Sequence, residues 1–141
     1  MPYREKTAWL TLIAIAVTFG PYFAITAGRS RAASAVPDLH QLGFFAIVVI
    51  AQAIILAAGY AFFAIASPRE ARTPPDERDR AITSRSIAFA YYVLIAGMIL
   101  VGCVMPFNSS GWAIINAALA TIVAAELVHY SVIVVSYRRQ A

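Results

Sequence analysis

Residues 112–135 read WAIINAALATIVAAELVHYSVIVV, an apolar run about two dozen residues long that holds one acid, Glu126, and one histidine, His129. As a helix, a run of this length crosses a hydrocarbon core, which takes about 20 residues. It is followed by Tyr137-Arg138-Arg139, an aromatic and basic closure suited to a membrane interface. An ionisable side chain inside such a span is costly and marks a functional-site hypothesis.

Three further apolar blocks precede it, at about 8–27, 42–66 and 87–105. The chain of 141 residues is 61% hydrophobic and 13% charged, with mean hydropathy +0.73. A soluble domain is about 45–50% apolar and about 25% charged. The reading is all-α: an integral membrane four-helix bundle of two antiparallel hairpins, forming a single transmembrane domain over 1–141. The first block is too long for a signal-peptide core of about 7–15 residues. Ile25 also stands where cleavage after Ala27 would want a small residue. Pro21 is expected to kink or end the last turn of the first helix, and Pro106 to stop the third. The second block exceeds a core of about 30 Å and is expected to tilt.

One cysteine, Cys103, excludes an internal disulfide and a CxxC-type oxidoreductase, and reads as a small packing residue. Net charge is +4. Because the charges lie at span ends and in loops, orientation explains them better than direct nucleic-acid binding.

The connections fix the order. Residues 106–111 are short and uncharged, so blocks three and four form a hairpin. With four spans, the side holding both termini and the 67–86 loop carries Arg4, Lys6, Arg69, Arg72, Arg78, Arg80, Arg85, Arg138 and Arg139, whereas the other carries only Arg29 and Arg31. That asymmetry predicts a multi-pass protein of the cytoplasmic (inner) membrane with both termini and the loop inside. Trp9 and Tyr137 then fall near the inner interface, and Tyr22 and Trp112 near the outer one. A weak echo, Ala8, Leu12, Ile13, Ala14 and Gly20 against Ala90, Leu94, Ile95, Ala96 and Gly102, is compatible with a duplicated hairpin and equally with chance.

Within the loop, 67–75 reads as irregular. Asp76 follows two prolines and suits an N-cap, with Glu77 and Asp79 in the favoured first turn of a helix that enters the membrane near Ile87. Pairs from Asp76 and Glu77 to Arg80 fit the helical spacing. This stretch is a solvated extension or a docking surface for a cytoplasmic partner, its candidate residues being Asp76, Glu77, Arg78, Arg80 and Arg85. The run Asp76-Glu77-Arg78-Asp79-Arg80-Ala81-Ile82, with Ser84-Arg85-Ser86 and Ala88-Phe89-Ala90-Tyr91-Tyr92 after it, resembles the Asp-Glu-Arg signature of a family of uncharacterised small four-helix membrane proteins of bacteria and archaea. The resemblance covers about 76–92 and the general layout. It implies a partnership with a small cytoplasmic regulator and carries over no catalytic residues.

Glu126 and His129 share a helix face. Counting 1.5 Å per residue, Glu126 lies about 3 Å and His129 about 8 Å inward of the fourth span's midpoint, Tyr91 and Tyr92 about 6–8 Å inward in the third, and Tyr60 about 9 Å in the second. A polar layer of Tyr60, Tyr91 or Tyr92, Glu126 and His129 is therefore expected, with Arg85 reaching upward to help and Gln52 as an interhelical hydrogen-bond donor. A lone Glu-x-x-His falls short of a di-metal set, so neither metal nor cofactor is expected. The stripe Ala113, Ala117, Ala120, Ala124 and Ser131 runs opposite Glu126 and favours a homo-oligomer. Function is read as a non-enzymatic regulatory or interaction protein in contact with membrane lipids. The alternative is a small proton-coupled transporter using Glu126. Small multidrug transporters place their acid in the first span, which has none here, and the signature of four-helix glutathione- or lipid-handling enzymes is absent.

Overall fold

The computed structural model describes residues 3–29, 39–109 and 111–139, except the side chains of residues 28 and 29. Arg31, Asp38 and the Arg29 side chain, which the charge asymmetry used, lie outside the described residues. The elements are α1 (Tyr3–Arg29), α2 (Leu39–Ala66), a short α3 (Pro68–Arg72), α4 (Glu77–Ile99) and α5 (Gly111–Arg139). Four segments are long and apolar enough to cross a membrane: Tyr3–Ala27, Leu39–Ala66, Glu77–Phe107 and Gly111–Arg139. The chain is a small multi-pass membrane protein, all-α, with its four long helices packed together.

The helix ends follow from local chemistry. Asp76 caps α4, its Oδ1 accepting the Asp79 amide at 2.6 Å. No ion pair from Asp76 or Glu77 to Arg80 forms among the described residues; Asp76 Oδ1 serves the cap instead. The expected irregular stretch 67–75 contains α3, because Ser67-Pro68 starts a turn in which proline costs no hydrogen bond. Pro21 does not end α1, which runs on to Arg29. At Pro106 the stop is gradual: α4 widens into a π turn at Leu100–Val104 and tightens into a 3₁₀ turn at Met105–Phe107. Widening lets the helix shed the amide that proline lacks.

The packing is an open arrangement. α1 packs against both α2 and α5, and α4 packs against α5. The outer helices α2 and α4 share no comparable contact. Among the spans α1 is the most enclosed, with 28% of its apolar window buried against 11%, 6% and 11% for the others. The central pair is therefore α1 with α5. Since α1 is central and α4 peripheral, the sequence echo between them corresponds to no equivalence of position.

Two close approaches set the helix spacing. A Cβ on Gly97 of α4 would overlap the Cγ2 methyl of Thr121 on α5, and a Cβ on Gly59 of α2 would overlap Leu10 Cδ2 on α1. Thr121 is β-branched and stiff at χ1, whereas a leucine terminus can turn aside. Gly97→Ala is accordingly expected to destabilise the bundle by about 1–3 kcal/mol, and Gly59→Ala by less. Thr121→Ala should recover most of the Gly97→Ala loss. Unfolding midpoints in detergent micelles read both, and a Gly97→Ala midpoint equal to wild type would contradict this packing.

Candidate functional site

Every helix meets α1 or α5 through a polar contact, and α1 supplies most of them. Its polar residues Thr11, Thr18 and Tyr22 recur at helical spacing on one face, in line with Arg4. The Thr11 hydroxyl lies 2.7 Å from the Tyr60 hydroxyl of α2, and Thr18 donates to Gln52 Oε1 of α2 at 2.6 Å. Tyr22 donates to Asn116 Oδ1 of α5 at 2.9 Å. Gln52 thus serves as acceptor, where the sequence suggested a donor. Tyr22, expected near the outer interface, turns its side chain into the bundle. It is fully enclosed, with Phe44 stacked 5.5 Å away and Phe45 edge-on at 5.9 Å. A buried asparagine in an apolar span needs a donor, and the phenol provides it.

The expected intramembrane layer divides. Tyr60 pairs with Thr11, and Tyr130 interacts with both. His129 joins this group through an edge-on contact with the Tyr130 ring at 4.8 Å. Glu126 lies on an exposed strip of α5 with Ile115 and Ile122, 47% and 49% exposed, and remains within electrostatic reach of Tyr130. At about 100° per residue it is about 80° from Asn116, which faces α1, and about 100° from Ala125, on the side packed on α4. It makes no hydrogen bond or ion pair among the described residues. Tyr91 and Tyr92 are 56% and 70% exposed. They lie about 120° and 140° from Gly97 in opposite directions, on the two outer flanks of α4. Depth counting placed these residues at similar levels but could not give their rotation. Arg85 does not reach toward Glu126. Its guanidinium sits 5.8 Å from the Phe89 ring centroid.

The second polar cluster gathers at the end of the bundle that holds both termini. Asp79 of α4 pairs with Arg4 Nε of α1 at 3.0 Å and accepts a hydrogen bond from the Tyr137 hydroxyl of α5. One carboxylate thereby ties three helices. Beside it, Lys6 lies 3.9 Å from Glu70, and Arg138 lies 3.8 Å from the buried Glu5 with its guanidinium 5.3 Å over the Trp9 ring. All five proposed docking residues, Asp76, Glu77, Arg78, Arg80 and Arg85, are exposed, Asp76 while also serving as the cap. Sequence reasoning missed Asp79, Arg4, Glu5, Tyr22, Asn116 and Tyr137 as contact residues. The available signal was the spacing of Arg4, Thr11, Thr18 and Tyr22, which puts four polar groups on one stripe of the first span.

Among the described residues, no group of three or more His, Cys, Asp or Glu side chains is arranged to hold a metal ion. No protein-family model, curated protein or solved structure matches the chain. The Asp-Glu-Arg resemblance therefore leads to no identified family.

The three-helix clamp has a measurable signature. Asp79→Ala is expected to cost about 1.5–3 kcal/mol, the range for hydrogen bonds to a charged group, and Tyr137→Phe about 1 kcal/mol. Because Tyr137 loses its acceptor in Asp79→Ala, the double variant should fall short of the summed losses. A double-mutant cycle in micelles checks this, and strict additivity would show that the two groups do not interact.

Proposed function

We propose that the protein is a non-enzymatic regulatory or interaction protein of the inner membrane that presents the first turns of α4 to a cytoplasmic partner. The observation that carries this reading is the two-sidedness of residues 76–86. Inward, Asp79, Ile82 and Ser86 pack on the bundle, Ile82 and Ser86 being 6% and 0% exposed. Outward, Glu77, Arg80, Ser84 and Arg85 lie open. A solvated extension needs no such anchoring, whereas a recognition surface benefits from being held rigid before the partner arrives. The distribution of basic residues supports a cytoplasmic location for this end and for both termini. The resemblance to small proteins that partner with cytoplasmic regulators points the same way.

A photo-crosslinking side chain placed at Arg80 in cells tests it. A crosslink to one soluble protein is expected, and combined reversal of Glu77 and Arg80 should abolish that partner's binding while leaving the unfolding midpoint within about 0.5 kcal/mol of wild type. A surface that captures nothing, or that binds its partner equally well after reversal, contradicts the proposal.

A second reading rests on Glu126. An acid on an exposed strip within a span is expensive unless it exchanges protons or meets a cation, which suits a small proton-coupled transporter. In liposomes that reading requires substrate-dependent proton flux abolished by Glu126→Gln. Flux unchanged in Glu126→Gln removes the residue from any transport mechanism.

A further inference from the structure

A groove crosses the outer face of α1 near the end that carries the termini. Its cavity, about 520 Å³, is lined by Lys6, Trp9, Leu10, Ile13, Phe63 and Arg138, drawn from α1, α2 and α5. Its two ends differ chemically. Lys6 and Arg138 stand at the charged end of the bundle with Phe63 across from them, and Leu10 and Ile13 continue the groove into the apolar span. From Lys6 to Ile13 the helix rises about 10 Å, so one occupant could touch both ends.

The two cations are only loosely engaged. Lys6 Nζ is 3.9 Å from Glu70, and Arg138 Nε is 3.8 Å from Glu5. Both distances exceed the 2.7–3.2 Å of a direct N–H···O bond, so both side chains keep donors for another anion. Arg138 is 61% exposed along its side chain and lies over the Trp9 ring, which makes the indole a wall of the groove. Ile13 is 57% exposed, an apolar surface open along the bilayer side.

An occupant must therefore bring an anionic head and an apolar body. We infer that this groove binds one anionic phospholipid, with its phosphate between Lys6 and Arg138 and an acyl chain running past Phe63 and along Leu10 and Ile13. A free phosphate would satisfy the cations but leave the apolar wall uncovered. A zwitterionic lipid would cover the wall but bring no net charge to the cations. Arg139, next in sequence to Arg138, lines a different cavity with Arg85 and Phe89, so it supplies a control of equal charge.

The chain contains two tryptophans, so Trp112→Phe leaves Trp9 as the sole fluorophore beside the groove. The full chain with this change is reconstituted in phosphatidylcholine vesicles. Dibrominated phosphatidylglycerol or dibrominated phosphatidylcholine is then titrated as quencher. Trp9 should be quenched at lower mole fraction by the anionic lipid. Lys6→Gln and Arg138→Gln, made singly, should each weaken that preference roughly 5-fold, the effect of one basic residue at an anionic surface, and Arg139→Gln should leave it unchanged. Equal quenching by the two lipids overturns the proposal, as does a preference that survives both single changes or falls equally with Arg139→Gln. Relief of quenching by inorganic phosphate at constant ionic strength also overturns it, because the site would then read the anion without the chain.

Discussion

The structure depends on one set of interactions: the polar side chains on the inward face of α1 find partners on the helices beside it. Thr11, Thr18 and Tyr22 share one face of α1, and their partners Tyr60, Gln52 and Asn116 sit on the two helices that flank it. Lipid tails are as apolar as the helices, so burying leucine or valine between helices gives little specificity. Hydrogen bonds and close backbone approach decide which helices meet. This is why α1, only moderately hydrophobic among the spans, becomes the hub, and why the more apolar α2 and α4 are left on the outside.

Held this way, the bundle has two unlike regions. In the membrane the contacts run pairwise from α1 to its neighbours. At the terminal end they converge on Asp79, which meets α1 through Arg4 and α5 through Tyr137. α4 contacts α5 along its length and reaches α1 chiefly through that carboxylate. The exposed Glu77 and Arg80 lie about 160° and 100° around the same turns from Asp79. A partner bound there would sit on the far side of the clamp and would feel any change in how α1, α4 and α5 come together.

Much of this was legible in the sequence, and the boundary is physical. Length and hydropathy give the four spans because hydrophobic thickness is a one-dimensional requirement. The Asp76 cap was legible because a cap is a local event. Lateral order was not, because depth along a helix is fixed by counting while rotation is fixed by neighbours. Counting puts Tyr60, Tyr91, Tyr92, Glu126 and His129 at similar levels, yet Tyr60, Glu126 and His129 interact with a common neighbour, Tyr130, while Tyr91 and Tyr92 turn to the outer flanks of α4. Treating each polar residue of the first span as ordinary hid the one pattern that carried tertiary information. Arg4, Thr11, Thr18 and Tyr22 were available as a stripe, but their partners Asp79, Tyr60, Gln52 and Asn116 become identifiable only once the helices are placed.

The central claim is that α1, and not a closed ring of four helices, organises the fold. Disulfide crosslinking within single chains in native membranes, in a Cys103→Ser background, tests it most directly. Cysteine pairs at Thr18 with Gln52 and at Tyr22 with Asn116 should form intramolecular crosslinks readily. A pair at Ala57 of α2 with Tyr91 of α4 should not, because those helices flank opposite partners. Efficient crosslinking of the α2–α4 pair within one chain, with failure of the two α1 pairs, would contradict the account.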